Sequence, residues 1–333
     1  MMSTLAVRLP NWLGDTVMAV PAVRALREAF PDARLALAGP WASLLAEQGV
    51  GEALVTYPRA WSARLAAADA MRALAPETAV LLPNSLESAL SAWYWGARRR
   101  VGFAVGGRRL LLTDAPALPA PRRHQVDEYL VLAEACGASV GDRTPRLAPP
   151  KPDGAERAEV RALLAEAGAP RESGRRLVGV HLGAAYGPAK LWPLPQVEEF
   201  CRLMSERATV VLVGAPSDMP AATAVSAAAP ARSLVGRDRP ALLTALLSEI
   251  DALVSGDTGV AHLAAALGTP AVTLFGPTDP ALSAPRGTAR VLTHPVPCAP
   301  CFYRVCPIEH PCLRDLAPST VRDAVLEQLE VGA

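Results

Sequence analysis

The sequence predicts an α/β protein made of two doubly wound domains, and three observations indicate this fold class. Short apolar runs of strand length alternate with segments of helical spacing, which is typical of parallel sheets covered by helices on both faces. The alternation is interrupted by a proline-rich stretch at 147–151 and then restarts. The 333 residues, 51% of them hydrophobic, are enough to bury two cores. We therefore predict one domain over residues 1–150 and another over 151–333.

Composition narrows the class of function. The formal net charge is only +1, which argues against a general nucleic-acid binder. No apolar run reaches the roughly 20 residues needed to cross a bilayer, and the N-terminus lacks the charged, apolar and small-residue pattern of a secretory signal. We therefore expect a cytoplasmic protein.

The first domain opens with a strand at 5–9, a loop, and a helix at 16–30. The loop places Asp15 at the carboxyl end of a strand, where a carboxylate can accept a proton from an incoming hydroxyl as a general base. Capping of the helix is the alternative role for this residue. The same rhythm continues with strands at 34–38 and 79–82 and with helices at 41–49, 85–95 and 124–137.

Arginines crowd one part of this domain, in runs at 98–100, 108–109 and 122–123, beside the aromatic triplet Trp93-Tyr94-Trp95. Such a surface suits a phosphorylated or membrane-borne acceptor. A solvated arginine face is the alternative interpretation of each run.

The second domain restarts with a strand at 177–181, followed by a glycine-rich turn at 182–193. The turn carries Lys190, one of only two lysines in the chain, and its compact ammonium is suited to neutralising a diphosphate leaving group. A helix at 194–207 and a strand at 209–213 then lead to Asp218. This carboxylate either accepts hydrogen bonds from ribose hydroxyls or serves the turn itself.

A strand at 250–254, a helix at 260–267 and a strand at 271–275 form a βαβ unit. The turn at 255–259 lies where a parallel strand meets a helix N-terminus, so its N–H groups and the helix dipole favour an anion such as a diphosphate. Asp257 would repel phosphate, so capping or binding of sugar hydroxyls suits it better. An ordinary capped turn is the alternative. Beyond residue 280 we expect irregular chain up to 318, then a last helix at 320–329 that docks on the first domain.

Four of the six cysteines, Cys298, Cys301, Cys306 and Cys312, lie within 15 residues. In a reducing compartment such a cluster indicates thiols or a metal site rather than disulfides. The ligand type suits zinc, although the spacing is not the paired pattern of a zinc ribbon. The four are therefore zinc candidates, with packed thiols as the alternative.

Several short motifs occur in an order that resembles glycosyltransferase family 9, the ADP-heptose:lipopolysaccharide heptosyltransferases, nearest the heptosyltransferase II branch. They are Gly14-Asp15 followed by Pro21, His181-Leu-Gly-Ala, Lys190-Leu-Trp-Pro, Val213-Gly-Ala-Pro-Ser-Asp, Ser255-Gly-Asp-Thr-Gly-Val-Ala-His and Leu274-Phe-Gly-Pro-Thr.

This resemblance implies the GT-B fold, in which two Rossmann-like domains face a central cleft. It implies an inverting transfer of heptose from ADP-heptose to a hydroxyl of a lipopolysaccharide inner-core or related glycan. Asp15 would be the general base. Lys190, with the backbone of Thr258 and Gly259, would stabilise the diphosphate.

The resemblance also implies roles for five further donor-site residues. Asp257 would contact the heptose or orient its turn, His262 would support the helix or the phosphate site, and Asp218 would hold the ribose. The family more often carries Glu where Asp218 stands. Gly14 and His181 complete the expected donor site.

Acceptor contacts are expected from Asn84, Ser85, Arg122 and His124. No metal or cofactor is required by such a mechanism, because fixed positive groups replace a divalent ion. The expected partners are the nucleotide sugar and a glycolipid or oligosaccharide acceptor, with no nucleic acid. A glycolipid acceptor would bring the protein to the cytoplasmic face of the inner membrane.

Other classes of function fit the sequence less well. A nicotinamide-dependent oxidoreductase would need Gly-x-Gly-x-x-Gly after the first strand, and a P-loop NTPase would need a lysine that follows a glycine; neither pattern occurs. Two alternatives stay open: a glycosyltransferase of this fold with another nucleotide sugar and acceptor, and a catalytically silent nucleotide-sugar-binding protein.

Overall fold

The computed structural model describes residues 3–58, 61–171, 174–237 and 240–331. The chain separates into two compact units, Met1–Pro145 (unit 1) and Arg146–Ala333 (unit 2). Each unit is built around one parallel sheet, as the alternating pattern of the sequence predicts.

In unit 1 the strands are β1 (Thr4–Arg8), β2 (Arg34–Gly39), β3 (Ala53–Thr56), β4 (Thr78–Leu81) and β5 (Arg99–Val101), and the helices are α1 (Leu13–Met18), α2 (Val20–Ala29), α3 (Trp61–Ala73), α4 (Leu86–Tyr94) and α5 (Gln125–Ala135). The strand order is β3-β2-β1-β4-β5, all parallel. The chain order reverses between β1 and β4. Parallel α/β sheets bind ligands at such a point, outside the carboxyl ends of the strands.

In unit 2 the strands are β6 (Arg176–His181), β7 (Ala208–Val213), β8 (Arg232–Ser233), β9 (Ala252–Gly256), β10 (Ala271–Phe275) and β11 (Ala289–Thr293), and the helices are α6 (Ala155–Glu166), α7 (Leu194–Met204), α8 (Met219–Ala228), α9 (Leu243–Glu249), α10 (Gly259–Leu267), α11 (Pro280–Ser283), α12 (Pro311–Arg314) and α13 (Pro318–Val331). The order β8-β7-β6-β9-β10-β11 is that of a Rossmann sheet, with its switch point between β6 and β9.

The central strands are mostly apolar and buried because helices cover both faces of each sheet. In β1 every residue is buried, and in β10 likewise. These rigid strands fix the loops that follow their carboxyl ends.

Two predicted helices differ from the structure. The helix expected at 16–30 is divided into α1 and α2, because Pro21 has no N–H to donate to the preceding turn. Asp15 therefore lies in the first turn of α1 rather than in a loop. The helix expected at 41–49 is only a short 3₁₀ turn, Ala42–Leu45, before the chain returns to β3.

The C-terminal part of unit 2 also differs from the sequence-based expectation. The stretch after residue 280, expected to be irregular, contains α11, α12 and the edge strand β11. The last helix, α13, buries Val321, Ala324 and Val325 in the core of unit 2, where it packs on α7, β9 and β10. Its buried face thus completes the core of unit 2, and docking of this helix on the first domain stays a prediction.

No helix in the described ranges combines the length and the apolar character needed to cross a membrane.

Candidate functional site

The switch point of unit 2 carries a cavity of about 490 Å³ between the ends of β6 and β9. Three of the donor-site residues predicted from the sequence, His181, Lys190 and Asp218, line this cavity. Gly256 also lines it and is followed by Asp257 and α10. The wall also includes Trp192, Pro193, Val197, Ser217, Pro220, Ala221, Ser255 and His310. A cavity with an apolar wall and a few convergent polar groups is typical of a small-molecule site.

Lys190 and Asp257 form an ion pair in this site. The Lys190 ammonium donates to Asp257 Oδ2 at 2.5 Å and to the Asp257 carbonyl oxygen at 3.2 Å. The Thr278 hydroxyl donates to the same Oδ2 at 2.7 Å. The side chains of Lys190 and Asp257 are 11% and 6% exposed. Asp257 therefore orients the lysine. Sequence reasoning did not identify Thr278 as the residue that holds the carboxylate.

The turn before α10 has the geometry of an anion site. Thr258 is the N-cap, and its hydroxyl bonds to Ser255 Oγ at 2.9 Å rather than to the helix amides. The first N–H groups of α10, beginning at Gly259, have no intrahelical acceptor and point with the positive end of the helix dipole. Gly256 is required by close approach, since a Cβ there would lie 2.6 Å from the Lys190 carbonyl oxygen. His262, one turn further on, is 5% exposed and is a buried residue of the helix.

His181 ends β6 inside the cavity. Its Nδ1 lies 3.5 Å from Ser255 Oγ on the neighbouring strand. Burial lowers the pKa of its imidazole to about 4, although the Asp218 carboxylate opposes the shift. The ring is therefore neutral near pH 7 and does not add positive charge to the site.

Asp218 serves its own turn. Its Oδ2 accepts from the Ala215 amide at 2.8 Å. Two glycines let the chain approach this carboxylate: a Cβ on Gly183 or on Gly214 would lie 2.5 or 2.7 Å from Oδ2. Asp218 therefore stabilises its own turn, one of the two roles that the sequence analysis considered. Its side chain also lines the cavity. Contact with a ribose stays a prediction.

The loop that carries Lys190 is held by a segment that the sequence did not connect with it. The Tyr186 hydroxyl donates to the Phe302 carbonyl oxygen at 2.5 Å, and the Ala189 amide donates to the Arg304 carbonyl oxygen at 3.0 Å. The Lys190 ammonium and the Arg304 guanidinium lie 4.6 and 5.2 Å from the centroid of the Tyr186 ring. These contacts fix the lysine loop against the cysteine-rich segment.

The cysteine-rich segment contains reduced thiols. Cys298 is exposed, Cys301 and Cys306 are half-buried, and Cys312 is buried. Burial raises the pKa of the Cys312 thiol, and the other three thiols raise it further. Within the described ranges no three histidine, cysteine or acidic side chains are grouped so as to hold a metal ion, so the four zinc candidates do not form a ligand set in this structure.

Asp15 lies at the switch point of unit 1, half-buried in the first turn of α1. The Tyr129 hydroxyl of α5 donates to its Oδ1 at 3.4 Å, a long hydrogen bond. Burial, together with the Asp15 carboxylate, raises the pKa of Tyr129 well above its usual value, so the phenol keeps its proton. Sequence reasoning missed Tyr129 as a partner of Asp15, although the residue lies in the predicted helix 124–137. Gly14 is buried beside Asp15.

Two predicted acceptor residues follow β4, next to the Asp15 edge. Ser85 is the N-cap of α4 and accepts from the Ser88 amide at 3.2 Å. Asn84 accepts at 3.0 Å from Arg108, which is fully buried. Burial lowers the pKa of Arg108 to about 10. Arg108 thus holds the β4–α4 loop from inside, and this arginine is not part of a solvated face.

The other two acceptor candidates, near the start of α5, also have structural partners. Arg122 forms a two-point ion pair with the buried Glu128 at 2.6 and 2.7 Å. His124 caps α5, its Nδ1 accepting from the Val126 amide at 3.2 Å. Acceptor binding by these residues stays a prediction.

Over residues 64–311 the sequence matches glycosyltransferase family 9 (heptosyltransferase). It is 30% identical over 293 residues to lipopolysaccharide heptosyltransferase 2 of Salmonella typhimurium, a match that covers 83% of each chain. The structure of E. coli ADP-heptose LPS heptosyltransferase II superposes with a TM-score of 0.79 at 26% identity and covers 98% of this chain and 99% of that one. The family 9 glycosyl transferase of Veillonella parvula superposes with a TM-score of 0.84 at 18% identity, over 99% and 97% of the two chains, and shows the same fold. These superpositions confirm the GT-B glycosyltransferase fold.

Proposed function

Because this chain belongs to glycosyltransferase family 9, the heptosyltransferase family, we propose that it transfers heptose from ADP-heptose to a hydroxyl of a lipopolysaccharide inner-core glycan, with inversion at the anomeric carbon. The observation that carries the proposal is the Lys190–Asp257 ion pair beside the N-terminus of α10, at the switch point of a Rossmann sheet. A diphosphate is the group that such a place binds best. The similarity to an E. coli enzyme whose donor is ADP-heptose supports this choice of nucleotide sugar.

The donor would bind in unit 2. The N–H groups at Thr258 and Gly259 and the Lys190 ammonium would face the diphosphate, and the apolar wall beside Trp192 would receive the nucleoside. Asp218 would lie near the ribose. Asp257 holds the lysine in place and is itself available to a sugar hydroxyl on its remaining oxygen, Oδ1.

The acceptor would bind at the switch point of unit 1. The Asp15 carboxylate would take the proton of the acceptor hydroxyl as that oxygen bonds to the anomeric carbon. The bond from the anomeric carbon to the phosphate oxygen breaks with its electron pair on ADP, and Lys190 with the α10 amides would stabilise the new charge. The Tyr129 hydroxyl would orient Asp15 through Oδ1.

No metal or cofactor enters this mechanism, because the lysine and the helix N-terminus supply the positive field that a divalent ion supplies in other glycosyltransferases. We place the reaction at the cytoplasmic face of the inner membrane, where the nucleotide sugar and a glycolipid acceptor would meet.

The test is a transfer assay with ADP-heptose and an inner-core lipopolysaccharide acceptor, with and without EDTA. We expect release of ADP, addition of one heptosyl unit by mass spectrometry, and inversion of the anomeric configuration by NMR. Transfer from another nucleotide sugar in preference to ADP-heptose would contradict the donor assignment. Retention of configuration, or loss of transfer on addition of EDTA, would contradict the mechanism.

A further inference from the structure

Helix α4 presents a line of large apolar side chains to solvent. Leu86, Leu90 and Trp93 are 47%, 46% and 60% exposed. Their spacing of four and three residues places them on one face of the helix. The other side of α4 is used in the core, where Ser88, Ala89, Ser91 and Ala92 are buried. We call Leu86, Leu90 and Trp93 the α4 stripe.

The stripe begins at the edge of the sheet that carries Asp15. Helix α4 follows β4, whose neighbour is β1, and Glu87 in its first turn lies 3.8 Å from the Arg8 guanidinium at the end of β1. Arg8 in turn donates to Asn11 at 2.9 Å, in the loop that leads to Asp15. A membrane or partner bound to the stripe would therefore lie beside the candidate acceptor site.

The surface around the stripe is positively charged and therefore suited to binding anions. Arg98 follows α4 and Arg109 lies on the 3₁₀ turn Arg109–Leu111, which contacts α4; both are exposed. Leu110, next to Arg109 on the same turn, is 95% exposed. Two carboxylates that lie on α4 or contact it are already paired: Glu87 with Arg8 and Arg64, and Asp69 with the Tyr94 hydroxyl.

Of the aromatic triplet that the sequence placed beside the arginine run, Trp93 is exposed and Trp95 is buried at 1%. An exposed tryptophan and leucines flanked by arginines are the residues that anchor proteins at the interface of an anionic bilayer. A second copy of the chain suits the surface less well. The three side chains expose on the order of 300 Å², against the roughly 800 Å² per partner of a stable dimer.

We propose that the α4 stripe, with Arg98 and Arg109, docks unit 1 on an anionic lipid bilayer. The proposal rests on the proposed function, because a glycolipid acceptor is presented from a bilayer. Docking through α4 would bring the Asp15 edge to the sugar that projects from the membrane surface.

The experiment is co-sedimentation with vesicles, either phosphatidylethanolamine with phosphatidylglycerol or phosphatidylcholine alone. We expect the wild type to bind the anionic vesicles. The triple variant Leu86→Ser/Leu90→Ser/Trp93→Ser should bind them with an affinity at least about tenfold lower. Arg98→Gln/Arg109→Gln should weaken binding to the anionic vesicles only, and added salt should reduce the difference between this variant and the wild type. Ile308→Ser, which removes an exposed aliphatic side chain in unit 2, is the matched control and should bind as the wild type does.

Circular dichroism and thermal unfolding check that every variant is folded, because the stripe lies in unit 1 and ADP binding in unit 2 would not report on the folding of unit 1. Wild-type vesicle binding by the triple variant, or no binding by the wild type, would overturn the docking proposal. So would a wild-type dimer that the triple substitution dissociates without any change in vesicle binding. Vesicle binding needs neither donor nor turnover, so failure of the transfer assay and failure of docking are distinguished.

Discussion

The Lys190 ammonium and the Asp257 carboxylate lie 2.5 Å apart at the carboxyl edge of the second sheet, and both are largely buried. A buried ion pair of this kind adds little net stability, because desolvation offsets the attraction between the charges. The ion pair instead determines position. Asp257, which is held by Thr278, fixes the location of the Lys190 ammonium. A diphosphate bound at the start of α10, as we propose, would share this lysine with Asp257.

We expect Asp257→Asn to separate binding from turnover. The amide keeps the shape of the carboxylate and removes a negative charge near the diphosphate, so ADP affinity should be unchanged or up to about threefold higher. The rate of transfer should fall about tenfold or more because the lysine loses its orientation. Calorimetry with ADP and steady-state kinetics measure the two effects. Thr278→Val, which removes only the hydrogen bond to Asp257, should lower turnover less. Loss of ADP binding in Asp257→Asn would show that the carboxylate binds the nucleotide itself.

The two lysines of the chain provide a matched pair. Lys190→Ala should weaken ADP binding by about tenfold to a hundredfold, because a charge-assisted contact to phosphate is lost from a largely buried site. Lys151→Ala removes the other lysine, which is exposed, and should leave ADP affinity unchanged. Isothermal titration calorimetry with ADP measures the affinity of both variants. Equal affinities in the two variants would remove Lys190 from the donor site.

Asp15 is tested through turnover. Asp15→Asn should reduce the rate of transfer on the order of a hundredfold or more, as expected for loss of a general base. ADP affinity should be preserved, because the residue lies in unit 1. Tyr129→Phe removes only the 3.4 Å hydrogen bond to Asp15 and should lower the rate of transfer by no more than about tenfold. Unchanged turnover in Asp15→Asn would exclude the residue as the base.

The lowered pKa of His181 predicts how stability depends on pH. The folded protein binds this proton at about pH 4 and the unfolded chain at about 6.5. The contribution of the neutral ring is therefore complete above pH 6.5 and is lost as the pH falls towards 4, by on the order of 3 kcal/mol. Urea unfolding between pH 4 and 8 should show this loss, and it should be smaller in His181→Gln. The same slope in the variant would assign the dependence to other groups.

The sequence predicts the two parallel sheets and the βαβ unit at residues 250–275, because buried strands and amphipathic helices leave distinct local patterns. It also places Lys190 and Asp257 in turns that follow strands. Their direct contact joins residues 67 apart, and no local pattern carries such a pairing. The contact between Tyr129 and Asp15 spans 114 residues and was missed for the same reason.

The arginine runs show a second limit of prediction from the sequence. Charge alone indicates a solvated face, yet Arg108 is fully buried and holds the β4–α4 loop through Asn84 and Ser88. Arg99 and Arg100 lie in β5, and Arg99 pairs with Asp114 at 3.1 Å. Burial of arginine depends on tertiary partners, which composition does not reveal.

Calorimetric titration of the protein with ADP, GDP, UDP and NAD, with and without EDTA, tests the donor site most directly. We expect ADP to bind most tightly, with the same affinity in EDTA, and we expect this binding to weaken in Lys190→Ala and persist in Asp15→Asn. Preference for UDP or GDP would contradict the choice of donor. Binding of NAD alone, or no nucleotide binding, would contradict the assignment of unit 2 as the nucleotide-sugar site.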